Sequence, residues 1–406
     1  MNDDSLKRKH RTSKRPKFRK TTHQSELNTV PLLTKSNKYS NSKSAKSCFS
    51  GRGPVIGGPQ IFCKEPKLKC GGPVITNQVV LSDDIFCTEN IDSPNAEQTK
   101  KTFNAAIKLV GPNASIDCKG RTIRQRRVGT KFAAACETPP GLSFDPSEDR
   151  KKMKENCKLF YEAGIWLVNG ATAVNCKVEQ FYKGILVQNG GQVKKSEVSG
   201  NLIGLRVQRD SGSIATKISD VYSHGNGYGI GIYVSGAAAG AAIIVEDVTS
   251  KHNVLDGFQI QNVRAGVTVK DSTTSFNGRD GISVVGVEET NPTKVQFEGI
   301  VSSHHNGEDG VYVQGFVQEV TVNGVLNTYL NEDDGLHVAT VGLTGTNVSF
   351  NVGLLGGFNS CKNKGKDMKN EGTVIFKAGS PFGYTCVTQA GPGLLPTCAA
   401  CPTCTF

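Results

Sequence analysis

Between Gly164 and Val338 one phrase recurs eight times: a glycine, an apolar residue, a variable residue and a second apolar residue. The copies begin at Gly164, Gly184, Gly204, Gly231, Gly257, Gly281, Gly310 and Gly335, spaced by 20, 20, 27, 26, 24, 29 and 25 residues. That period is too short for a strand, a helix and their turns, but long enough for one coil of short strands, so it constrains the chain to a solenoid. All sixteen residues one and three places after the glycines are Ile, Leu, Val or Phe. The place between holds Trp166, Leu186, Arg206, Tyr233, Gln259, Ser283, Tyr312 and His337. Alternation at period two marks a strand, because residues two apart on a helix face different ways. A second β-rich run precedes these strands, as at Val267 to Val269 and Val295 to Phe297, so each coil carries at least two strands.

Coils stacked about 4.8 Å apart would share one core between parallel sheets. Four later coils repeat a turn: Asn253-Val-Leu-Asp256-Gly257, Asn277-Gly-Arg-Asp280-Gly281, Asn306-Gly-Glu-Asp309-Gly310 and Asn331-Glu-Asp-Asp334-Gly335. In register, the asparagines can hydrogen-bond as an amide ladder, and glycine is expected to supply the backbone freedom of the corner. With Ile116-Asp-Cys-Lys-Gly-Arg-Thr-Ile123, these strands and turns resemble the right-handed parallel β-helix proteins of the pectin-lyase-like superfamily, over roughly Cys70 to Phe376. The resemblance implies an all-β, right-handed parallel β-helix and a leaning towards polysaccharides. It does not fix an activity, since that architecture carries lyases, hydrolases, epimerases and non-catalytic surface proteins. The catalytic phrases Trp-Ile-Asp-His, Arg-x-Pro-x-x-Arg and Asp-Pro-His-Glu are absent, and Asp333-Asp334 and His224-Gly225 stand in the wrong order for a polygalacturonase. No catalytic residue is carried over.

The net charge of +12 belongs to the N-terminal segment. Residues 1 to 50 hold 13 Lys or Arg against 3 Asp or Glu, leaving 35 basic and 33 acidic residues in a nearly neutral body. Basicity is therefore a property of the tail and says nothing about the body's substrate, and nucleic acid is not the expected partner of the body. Residues 1 to 47 are expected to be a disordered basic tail, whose run Lys7 to Lys20 suits nuclear targeting, polyanion contact or a solvated linker. The β-helix domain is expected to span 48 to 376, with an N-terminal cap and an insertion at 124 to 160 that is either a cover over the side of the rod, with a short helix near Ser147 to Lys158, or a tolerated loop. A cysteine-rich tail fills 377 to 406.

None of the 13 cysteines lies between Cys176 and Cys361. Both ends of a solenoid expose core and sheet edge, so cysteines kept to the ends read as cap disulfides formed in an oxidising, extracellular or cell-wall setting. The sequons at Asn113 and Asn347 permit that setting, whereas the basic start offers no secretory signal, and no stretch is long enough to span a membrane.

Two sets of side chains could carry function. Asp256, Asp280, Asp309 and Asp334 hold equivalent turn positions, about 5 Å apart if the register holds. They could serve as glycosidase carboxylates, bridge a calcium ion to an acidic substrate, or bond their own turns. Trp166, Arg206, Tyr233, Gln259, Tyr312 and His337 form a file on the outer face of the glycine-led strands. Exposed, that file offers ring faces and polar groups to sugars; covered by the insertion or a tail, it packs as ordinary buried surface. Histidines 224, 252, 304 and 305 fall near the turns, as a base or as plain turn residues. The expectation is a protein that binds, and can cleave, an extended polysaccharide along the solenoid's side. The alternatives are a structural or adhesive rod, or an intracellular scaffold.

Overall fold

The computed structural model describes residues 68–87, 105–125, 161–208, 214–226, 230–236, 241–264, 266–286, 292–339, 347–352, 357–370, 373–378 and 384–385. All of these belong to one compact unit. The expectations for the basic tail, for nearly all of the 124–160 insertion with its helix, and for nearly all of the C-terminal tail lie outside the described residues.

Among the described residues every element is a strand, every pairing between coils is parallel, and the fold is the right-handed parallel β-helix. One sheet collects the glycine-led strands, from Ala105–Val110 through Ala163–Val168, Lys183–Gln188, Ile203–Gln208, Ile230–Ser235, Phe258–Gln261, Ile282–Gly286 and Val311–Gly315 to Leu336–Ala339 and Met368–Asn370. Two further strands complete each coil, for example Val267–Lys270 and Thr273–Ser275, or Thr293–Glu298 and Ile300–His304. In three coils these two run together as Gly191–Ser199, Thr216–His224 and Ile243–Lys251. Each is bent at one residue of positive φ, Lys195 (49°), Asp220 (54°) and Asp247 (53°). Aspartate tolerates that region better than most side chains.

Register explains why the alternation was so strict. Leu205 pairs with Ile185 on one side and Ile232 on the other, so apolar side chains stack in columns into the core. All sixteen apolar residues after the glycines are no more than 2% exposed, each worth about 1.5–3 kcal/mol of transfer free energy. Val193, Ile218 and Val245 face them from the neighbouring strands.

The glycines themselves require a correction. None of the eight has positive φ among the described residues, so backbone freedom is not their role. A Cβ on Gly257 would lie 2.6 Å from the carbonyl oxygen of Gly281 and 2.8 Å from the Asn277 amide; on Gly310 it would lie 2.6 Å from Gly335 O and 2.7 Å from Asn331. The next coil passes too close for any side chain.

The amide ladder is present and longer than the turn motif indicated. Asn201, Asn226, Asn253, Asn277, Asn306, Asn331 and Asn363 each donate from Nδ2 or accept at Oδ1 along one column, with Nδ2–Oδ1 distances of 3.4, 2.8, 2.9, 3.0, 3.0 and 2.9 Å. Asn363 anchors one more coil, whose strand Met368–Asn370 begins without a glycine and whose sequence reads as a polar run. At the other end, Cys118–Cys176 joins two adjacent coils and Cys70–Cys87 closes the first. Cys361 is disulfide-bonded as well, so every described cysteine is oxidised, as expected of stapled ends.

Candidate functional site

The four turn aspartates stack as the register requires, and they are buried, none above 3% exposed. Each bonds the turn of the following coil rather than its own. Oδ1 of Asp256 accepts the Asp280 N–H at 3.3 Å, Asp280 accepts from Asp309 at 3.2 Å, and Asp309 accepts from Asp334 at 2.9 Å. The Lys366 N–H ends the series on Asp334 at 2.6 Å.

Basic side chains lie against the row. Arg279 forks onto Asp256, with Nε donating to Oδ1 at 2.7 Å, and stands 3.7 Å from Asp280. His337 Nδ1 meets Asp309 Oδ2 at 2.9 Å and lies 3.8 Å from Asp334, which also has Lys369 at 3.9 Å. Burial, then the adjacent Asp256, Asp309 and Glu308, pushes the Asp280 carboxyl well above the usual carboxylate range, against the pull of Arg279. Asp334 is raised by burial and by Asp333 and Asp309, opposed by the Lys366 N–H and His337. The Arg279 guanidinium is held charged by the acids around it, which outweigh its burial.

Donor atoms of Asp309, Asp334 and His337 lie within 4.8 Å of one another. Two carboxylates and an imidazole nitrogen suit a transition cation better than calcium, which wants six to eight oxygens. The row lies against an arginine, a histidine and a lysine, Asp334 Oδ2 is buried without a hydrogen-bond partner among the described residues, and the whole forms a polar seam beside the amide ladder.

The file on the glycine-led sheet is largely buried. Tyr233, Gln259, Tyr312 and His337 are at most 9% exposed, while Trp166 and Arg206 are half-buried. Its ring faces are engaged: Lys108 Nζ lies 3.9 Å from the Trp166 ring centroid and Arg206 Cζ 4.9 Å from that of Tyr233. Tyr312 meets His337 edge-on at 5.2 Å. Arg206 Nε and Gln259 Oε1 are buried without a hydrogen-bond partner among the described residues.

Open surface of the right shape lies instead along the bend between the second and third strands of the coils. There a groove of about 760 Å³ crosses five successive coils, lined by Lys119, Asn175 and Lys177, Lys195 and Glu197, Asp220 and Tyr222, and Asp247 and Thr249. Four coil spacings make it about 19 Å long. Lysines gather at the N-terminal end and aspartates at the other. Lys177 pairs with Glu197 at 3.4 Å, and Lys119 with Asp117 at 2.9 Å; Asp117 is held down at about 2 by its bonds from Asn175 and Lys119. The sequence did carry a signal for this bend, an apolar-x-Asp-apolar phrase at Ile218 to Val221 and Val245 to Val248. The glycine phrase, being far more regular, drew attention to the other sheet.

No family model matches the chain, and no curated protein matches it. Among solved structures it is similar to the periplasmic alginate epimerase AlgG, at 12% identity and a TM-score of 0.46, over 76% of this chain and 70% of that one. A double mutant and a single mutant of the same epimerase give 13% and 12% identity, with TM-scores of 0.43 and 0.44.

Proposed function

We propose that this protein is an extracellular or cell-wall β-helix that binds an extended polysaccharide along the side of the solenoid without cleaving it. The observation that carries this reading is the groove across five coils. It is open and runs across the stacked coils, and it offers lysines towards one end, aspartates towards the other, and amide, hydroxyl and one tyrosine side chain between, the chemistry that recognises hydroxyls and charged sugars. A linear polymer meets equivalent positions on successive coils, so weak contacts add along its length. The oxidised cysteines support an oxidising compartment. The acid row supports binding over cleavage, because its carboxylates are buried and Asp256, Asp280 and Asp309 each accept a backbone N–H, with Arg279 and His337 beside them.

The test is retention of the folded, disulfide-bonded chain in affinity gels that contain anionic or neutral polysaccharides, with parallel assays for reducing ends and for the ultraviolet absorbance of unsaturated uronates. Retention by at least one polymer, with neither product, is expected. Products would replace the binder with a hydrolase or a lyase, and absence of retention across the panel would overturn polysaccharide engagement.

A further inference from the structure

The corner that ends the third strand of each coil carries a second file, at the surface, which neither the groove nor the acid row uses. His252, Phe276 and His305 occupy equivalent positions in three successive coils, each at φ 54°. The rings stack, His252 on Phe276 with centroids 5.2 Å apart and Phe276 on His305 at 4.8 Å, inclined by 18° and 20°. One residue earlier, His304 stacks on Tyr329 of the following coil at 4.7 Å and 11°. The faces of these rings are thus taken up by one another, which leaves little for a sugar to stack on. What the file presents to solvent is ring edges, and two of those edges converge.

His304 Nδ1 and His305 Nδ1 are hydrogen-bonded to each other at 2.9 Å, on imidazoles inclined at 81°, so one proton lies between two ring nitrogens that a metal could take in its place. Nitrogen ligands lie about 2.0–2.1 Å from a bound divalent metal, so a pair held at a right angle about the metal would be about 2.9 Å apart, and a tetrahedral pair about 3.3 Å. The observed separation is that of the hydrogen bond and already lies within reach of a shared metal, and imidazole nitrogens suit copper(II) and nickel(II). Each ring is braced by an aromatic from a different neighbouring coil, Phe276 for His305 and Tyr329 for His304, so little ordering is left to be done on binding. We propose that His304 and His305 form a surface chelate for a divalent transition cation of the copper and nickel type, bound through both Nδ1 atoms with solvent completing the coordination.

The probe is Ni²⁺, measured by equilibrium dialysis against the full disulfide-bonded chain. Seven histidines are present, including His10 and His23 near the N-terminus, so the comparison rests on single variants. His304→Gln and His305→Gln should each weaken the tightest site by about tenfold or more, which is about 1.4 kcal/mol, whereas His252→Gln and His224→Gln should leave it unchanged. Cu²⁺ should bind more tightly than Ni²⁺ or Zn²⁺, and its electron paramagnetic resonance spectrum should show two equivalent-type nitrogens. His305 is exposed and His304 half-buried, and unchanged melting temperatures would confirm that the variants fold. Wild-type affinity in both His304→Gln and His305→Gln, or a tightest site lost only in His10 or His23 variants, would overturn the proposal.

Discussion

Arg279 reaches back one coil to fork onto Asp256, Nε to Oδ1 at 2.7 Å, while its own neighbour Asp280 lies 3.7 Å away and bonds the same carboxylate through its backbone N–H. One guanidinium therefore serves two buried acids in adjacent turns. Replacing Arg279 by Met should destabilise the protein by about 3–5 kcal/mol, because it leaves a buried carboxylate without its cation. The Asp256→Asn, Arg279→Met double variant should recover much of that loss. Chemical denaturation of the three proteins checks both.

The raised proton affinity of Asp280 has a pH consequence with a definite sign. The native state holds this proton more tightly than the unfolded chain, so the group's contribution is fully present below the ordinary carboxylate value and is lost as pH rises through the folded value. Asp280→Asn keeps an oxygen for the Asp309 N–H and removes the titration. Its stability relative to wild type should therefore increase from about pH 4 upward; a difference that stays flat with pH would mean that Asp280 is ionised in the fold.

The middle of the amide ladder should be dearer than its end. Asn306 accepts from Asn277 and donates to Asn331 and Ser303, so Asn306→Ala strands partners on both sides at a cost of about 2–4 kcal/mol. Asn363 is only partly buried and closes the column, and Asn363→Ala should cost clearly less. Thermal melts of the two variants give the comparison.

Two glycines test what glycine is for in this fold. Gly310→Ala should cost about 1–3 kcal/mol through overpacking against Gly335 O, although its φ is unstrained. Gly200 has φ 59° and nothing within 4 Å of a Cβ, and its column carries His252, Phe276 and His305 in later coils. Gly200→Asn should therefore be tolerated.

The fold was legible because register repeats the same environment at each coil, so two columns of eight apolar residues wrote themselves into the sequence at period two. The roles of the glycine and of the aspartate were not, because both depend on the coil above: Gly257 is small for the sake of Gly281, and Asp256 accepts from Asp280. A single sequence shows the repeat but not the contact across it. For the same reason the outer file, which in sequence reads as a row of sugar-facing rings, is packed against Lys108, Arg206 and its own neighbours. The terminal coil was missed because Asp367-Met368 replaces the Asp-Gly start, although Asn363 keeps the ladder.

The most direct test sets the groove against the acid row in one polysaccharide-retention experiment. Lys195→Asn with Tyr222→Ala removes a cation and a ring from the middle of the groove, and asparagine suits the φ of 49° at position 195. If the polymer lies in the groove, this double variant loses retention at unchanged melting temperature while Asp280→Asn binds as wild type does. Retention kept by the groove variant and lost by Asp280→Asn would contradict it and return the site to the glycine-led sheet.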